Sequence, residues 1–215
     1  IKSLRVATYF DHPDYPVDQE VREQLESVAV SLERAGARVD RNVSPDIDFQ
    51  ENLIVYLQIM YSHMDENVPD EVRDMMAEAL KPIPGSEEVI AMFGGSVAQW
   101  NKANERRFQL QSKWTEFFRD YDVLLAPILP LPAFEHDHTA IPFRRWVVNG
   151  EDRSAMIDTL FWAAFSLLTY LPATAVPAGR TAKQGLPVGV QIVGPYLEDE
   201  TPLEVATMLE DCHQR

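Results

Sequence analysis

The sequence has one cysteine, Cys212, so no disulfide can form within the chain and the fold does not depend on an oxidising compartment. It also lacks a clustered basic run. The closest approaches are Arg106-Arg107 and Arg144-Arg145, and 19 Lys plus Arg stand against 34 Asp plus Glu, a formal net charge of −15. A polyanion is held where Lys and Arg displace its counterions, so neither nucleic acid nor an anionic membrane surface is an expected partner. Long apolar runs are missing too: residues 159–171, the longest mostly apolar stretch, are too short to cross a bilayer. A cytoplasmic location is expected. No initiator Met precedes Ile1-Lys2-Ser3 and no signal-peptide pattern accounts for its loss, which fits a piece of a longer protein.

What is present is enough for a core, since 46% of the 215 residues are apolar and no segment is of low complexity. Residues 4–10 are rich in strand formers. Asp18 then reads as the N-cap of a helix with Val21, Leu25, Val28 and Leu32 on one face, Gly36 as its C-terminal cap, and residues 37–42 as a second strand. A strand, helix, strand unit points to an α/β sheet. A second helix is expected from Asp46 and a third from Pro69. After the break at Pro82, Pro84 and Gly85, helix runs from Ser86 to Arg119 in one or two pieces, weakest at Gly94-Gly95. Trp100, Ala103, Leu110, Trp114 and Phe117 form its apolar stripe, read as core packing.

Residues 121–127 read as a strand buried on both faces, because Val123 to Ala126 is continuously apolar. Residues 134–153 read as a long polar loop without periodicity, of the kind that is often functional. An apolar helix is expected from Ser154 to Tyr170, stopped by Pro172. Strands over Thr174–Val176 and Val188–Val193 are expected to be sheet neighbours, and a capping box at Thr201-Pro202-Leu203-Glu204 to open the last helix.

A hydrolase needs a nucleophile, a base beside it and donors for the developing oxyanion, and few residues have that company. Phe93-Gly94-Gly95-Ser96 has the look of a nucleophile turn, but Val97-Ala98-Gln99-Trp100 continues as ordinary helix, so a glycine kink is the simpler reading. His136 and His138 have no third ligand at metal-binding spacing, and His12, His63 and His213 stand alone. Cys212 sits in a last helical turn, where the helix dipole disfavours its thiolate. No metal and no cofactor are expected.

Two stretches go further. Leu171-Pro172-Ala173-Thr174-Ala175-Val176-Pro177-Ala178-Gly179 and Gly185-Leu186-Pro187-Val188-Gly189-Val190-Gln191-Ile192-Val193-Gly194-Pro195 resemble the C-terminal signature of the amidase signature family. Tyr121 to Pro127, Asp11-His12-Pro13, Ala35-Gly36-Ala37 and Trp114 to Phe118 fit the same family. The resemblance covers nearly the whole chain and corresponds to the second half of the family's domain. It implies an α/β fold with a mixed β-sheet flanked by helices, in which residues 1–215 are the C-terminal part of a single amidase domain.

The activity implied is hydrolysis of a carboxamide by a serine nucleophile, a second serine in a cis peptide and a buried lysine base. In the family those groups lie in the first half, and this sequence has no Gly-Ser-Ser run. Such a lysine must be neutral, which requires burial; Lys2, Lys81, Lys102, Lys113 and Lys183 all sit in polar or turn contexts. The chain is therefore expected to be inactive alone, with a missing N-terminal half and a small-molecule amide as partners. Homo-oligomers are also expected, because half a sheet leaves an apolar edge.

For substrate contact the resemblance points to the segment before Leu171-Pro172-Ala173, with Asp158, Trp162 and Phe165, while Phe161, Trp162 and Phe165 read equally well as core. Arg144, beside Arg145 in the long loop, is the candidate for orienting a polar group. Tyr170 departs from the family pattern, which often has Gly there. The rival reading is a non-catalytic binding or interaction domain, or the complementing subunit of a split amidase.

Overall fold

The computed structural model describes residues 3–63, 68–93 and 95–213, with residues 211–213 as backbone only. Lys2, Gly94 and the side chain of Cys212 thus lie outside the described residues. In chain order the elements are β1 (Arg5–Thr8), α1 (Gln19–Arg34), β2 (Arg38–Arg41), α2 (Phe49–Tyr61), α3 (Asp70–Leu80), α4 (Ser86–Ile90), α5 (Val97–Phe117) and β3 (Val123–Pro127). A 3₁₀ turn (Ile141–Phe143), β4 (Arg145–Val148), β5 (Glu151–Ser154), α6 (Ala155–Leu167), β6 (Ala173–Arg180), β7 (Pro187–Val193) and α7 (Glu200–His213) follow.

Five strands form one mixed sheet in the order β2-β1-β3-β7-β6. β1 pairs in parallel with β2 and β3, whereas β7 is antiparallel to both β3 and β6. The parallel β1-α1-β2 unit is the crossover that the sequence pattern implied. Every residue of β3 is buried, so the continuous apolar run does mark a strand covered on both faces. Helix α1 turns Val21, Leu25, Val28, Ala29 and Leu32 inward, toward α7 and the β6 side of the sheet. On β7 the Gln191 amide reaches the Trp162 carbonyl of α6 at 3.1 Å. Its neighbours Val190 and Ile192 project to the opposite face by strand alternation, so helices cover both sides.

The caps explain where the helices begin. Asp18 accepts from the Glu20 N–H at 2.8 Å, as expected. α2 starts three residues later than Asp46, because Asp48 accepts from the Gln50 and Glu51 N–H groups. Ser96 forms a capping box with Gln99, which makes α5 a fresh helix after the glycine break. α7 begins at Glu200, so Thr201 is helical and its hydroxyl donates to the Glu198 carboxylate; the capping box expected at Thr201 does not form.

Two further corrections concern the middle of the chain. Residues 145–154 form a β-hairpin, not irregular loop, turning at Asn149 (φ 52°) and Gly150 (φ 88°). Two left-handed residues in a two-residue turn match the twist of paired strands, and Asn-Gly is the sequence that best tolerates them. Helix α6 also stops earlier than Tyr170, at Leu167, and Tyr170 itself turns left-handed at φ 58°.

Candidate functional site

In open α/β sheets, ligands gather beyond the carboxyl ends of the strands. Beyond β1 the chain makes the Asp11–Val17 loop, and this loop meets the N-terminal ends of α2 and α6 and the β4-β5 hairpin around a cleft of about 430 Å³. Asp14, Tyr15, Gln50, Arg145, Asp152, Arg153, Ser154 and Asp158 supply its polar lining, and Pro82, Ile83, Pro84 and Ile157 its apolar lining.

At its centre is an ion pair. Ser154 caps α6 by accepting from the Ile157 N–H, which places Asp158 in the first turn with its carboxylate toward β5. Arg153, the last residue but one of β5, grips that carboxylate in bidentate fashion, Nε to Oδ2 and Nη2 to Oδ1, both at 2.9 Å. The same Nη2 donates to the Asp14 carbonyl at 2.6 Å, so one guanidinium ties the β1 loop, β5 and α6 together. Asp158 is only 2% exposed. Burial raises its pKa above the usual carboxylate value, and the Arg153 hydrogen bonds and charge pull the other way.

Tyr15 lies flat on Phe161, ring centroids 3.9 Å apart at 11°, and its hydroxyl donates to Gln50 Oε1 at 2.9 Å. Burial first, and then the Asp158 charge, push the Tyr15 hydroxyl up to about 12. His12 sits half-buried among Tyr9, Tyr15, Phe49 and Phe161. Its Nδ1 accepts from the Asp14 N–H at 3.1 Å, and burial lowers its pKa against the pull of nearby aspartates. The cleft can thus offer a fixed phenol and hydrogen-bonded charges, and its lining serine, Ser154, is engaged through Oγ as the α6 cap.

The candidate residues of the sequence fall at different depths. Asp158 lines the cleft. Trp162 and Phe165 are fully buried behind it, packed against Phe161 and each other, and present no surface to a ligand. Arg144 is not part of the lining; its Nε donates to the Thr139 carbonyl, and its own carbonyl accepts from the Ala155 N–H. Its neighbour Arg145 reaches the rim, paired with Asp152 at 3.0 Å. Sequence reasoning does not single out Arg153, Tyr15 or Gln50. The Asn149-Gly150 turn is the available signal for Arg153, since a hairpin there delivers it to the start of α6.

Outside the cleft, Ser96 is occupied as a cap: its Oγ accepts from the Gln99 N–H at 3.3 Å. Ser62 Oγ lies 3.3 Å from His63 Nδ1, but that nitrogen is also 2.8 Å from the Ile59 carbonyl and is therefore a donor, not a base for the serine. All four described lysines, Lys81, Lys102, Lys113 and Lys183, are exposed. Among the described residues no group of three His, Cys, Asp or Glu is placed to hold a metal, and no helix is long and apolar enough to cross a membrane. A larger hollow of about 750 Å³ lies at the amino end of the sheet, where Arg5 and Asp122 already satisfy each other at 2.7 Å.

A family model described as amidase matches residues 1–203. A glutamyl-tRNA(Gln) amidotransferase subunit of Halothermothrix orenii is 25% identical over 233 residues, covering 99% of this chain and 46% of that protein. An acylamidase of Rhodococcus erythropolis is 32% identical over 149 residues, 67% of this chain and 28% of the relative. Among solved structures, a bacterial aryl acylamidase of the amidase signature family superposes with a TM-score of 0.65 at 18% identity, covering 99% of this chain and 44% of that one. The corresponding glutamyl-tRNA(Gln) amidotransferase subunit of Thermotoga maritima gives 0.65 at 24% identity, covering 95% and 42%. The chain spans about half the length of the amidotransferase subunits it matches.

Proposed function

This chain belongs to the amidase family, and on that premise we propose that it is the C-terminal part of a carboxamide hydrolase whose nucleophile and base are supplied by the preceding half of the domain. The single observation that carries this reading is the exposure of every described lysine. A lysine in water is protonated near neutral pH and cannot take a proton from serine; only burial beside suitable partners makes it a base. The occupied state of Ser96 and Ser62 points the same way.

In this reading the chain provides the sheet, the core and one wall of the substrate pocket. Asp158, held by Arg153, shapes the polar part of that wall, and Arg145 edges it. Trp162 and Phe165 act from behind as rigid backing, and Arg144 fixes the hairpin to the start of α6. The substrate in this reading is a small-molecule amide, in keeping with the acylamidase among the relatives. The outer edge of β6, with the sequence Ala-Thr-Ala-Val-Pro-Ala-Gly-Arg, ends the sheet without a charge until Arg180, and favours pairing with the other half or with a second copy of this chain. The cytoplasm is the proposed setting.

The test is a serine-directed fluorophosphonate probe on the purified chain. No labelling is expected at any serine. Stoichiometric labelling of Ser96, or of any other serine, would place a working nucleophile within this chain and overturn the reading.

A further inference from the structure

The arginines of this acidic chain are mostly paired, and Arg107 is an exception with a pocket attached. It lies mid-way along α5 and is 5% exposed. Its Nε donates to Asn104 Oδ1 at 2.9 Å, but Nη1 is buried with no hydrogen-bond partner, and no carboxylate among the described residues pairs with it. The adjacent Arg106, by contrast, meets both Glu51 and Glu88. A buried charged donor left unmet is costly, and a carboxylate is the group that best meets a guanidinium.

The surroundings look built for a ligand. Arg107 opens onto a pocket of about 290 Å³ whose walls are Tyr56, Ile59, Met60, Leu167 and Leu168, with the His63 imidazole also in its lining, and no acid is among its described lining residues. Tyr170 covers the guanidinium from outside, its ring centroid 4.2 Å from Cζ, with Phe108 at 4.4 Å on the same group. Tyr170 does this from a left-handed backbone (φ 58°), a conformation that disfavours every residue with a Cβ, while remaining 58% exposed. An exposed aromatic ring held in a strained turn over an unpaired cation is a second sign, independent of the empty hydrogen-bonding position.

We propose that this pocket binds a small organic acid, its carboxylate on Arg107 and its apolar body against Ile59, Met60 and Leu167. The pocket is at the small end for ligand sites, which suits an acid of phenylacetate size. The proposal does not depend on the amidase reading.

Calorimetric titration of the purified chain with phenylacetate, with neutral phenylacetamide and with an acetylated Leu-Glu-Leu amide tests it. Phenylacetate is expected to bind roughly tenfold or more tightly than phenylacetamide. That preference should vanish in Arg107→Met and survive partly in Arg107→Lys, with the unfolding midpoint of each variant confirming a folded chain. Tyr170→Gly should weaken phenylacetate binding several-fold without lowering the midpoint, because it removes the ring and relaxes the backbone together. Equal binding of acid and amide, no binding of either, or a preference that persists in Arg107→Met would overturn the site. Binding of the peptide without binding of phenylacetate would overturn the small-acid assignment and give the socket to a polypeptide carboxylate.

Discussion

Arg153 and Arg107 are both packed beside aromatic rings, yet they serve opposite ends. In the cleft, Arg153 meets both oxygens of Asp158 and the Asp14 carbonyl, so three elements converge on one satisfied cation. In the α5 pocket, Arg107 has Asn104 and two ring faces, and a buried nitrogen with nothing to bond. Burial of an arginine therefore does not by itself assign its role; the number of acceptors around it does. A fully met guanidinium is a structural clamp, and removing its partner strands a charge. A partly met one is a socket, whose removal costs the fold little and costs a ligand much.

The largest effect that bears on this contrast is Asp158→Ala, expected to lower stability in urea unfolding by about 3 kcal/mol because it leaves Arg153 unpaired. Arg107→Met should cost less than about 1 kcal/mol in the same assay, since it removes an unmet donor and keeps an apolar body. Equal losses in the two variants would erase the distinction. The double variant Asp158→Leu, Arg153→Met should cost less than Asp158→Ala alone, because no charge is then stranded.

A smaller effect is expected in alkali, and it belongs to the cleft. The fold holds Tyr15 neutral up to about pH 12, whereas an unfolded tyrosine ionises near 10. A raised pKa means that the contribution is full below pH 10 and is lost as pH rises toward 12, by up to about 2 kcal/mol. Stability measured across that window should fall less steeply in Tyr15→Phe. Ser96→Ala, which removes the α5 cap, should cost about 1 kcal/mol.

Much of this architecture is legible in the sequence because the physics is local. Val123 to Ala126 reads as a doubly covered strand and is one, whereas at Gly94-Gly95 the sequence reading stops at a kink and the Ser96–Gln99 cap that starts α5 afresh comes from the structure. The hairpin is hidden because Glu151-Asp152-Arg153-Ser154 carries no apolar alternation; its signals are the Asn149-Gly150 turn and the strand formers Trp146-Val147-Val148 before it. Thr201 misleads because a Thr-x-x-Glu pattern does not say whether Glu198 already holds the hydroxyl. The pairing of Arg153 with Asp158 crosses a strand-helix junction, and the stacking of Tyr15 on Phe161 joins residues from separate elements. Neither has a period that a sequence pattern can display. Trp162 and Phe165 can be placed on a helix from the sequence, where the core and the pocket readings stand level, and their complete burial decides for the core.

The central claim, that this part of the amidase domain carries no working nucleophile and base of its own, is tested most directly by assaying the purified chain for hydrolysis of a simple aryl amide such as 4-nitroacetanilide, beside its Ser96→Ala variant. The account predicts no turnover above the uncatalysed rate for either protein. Steady turnover by the chain that is abolished in Ser96→Ala would contradict it.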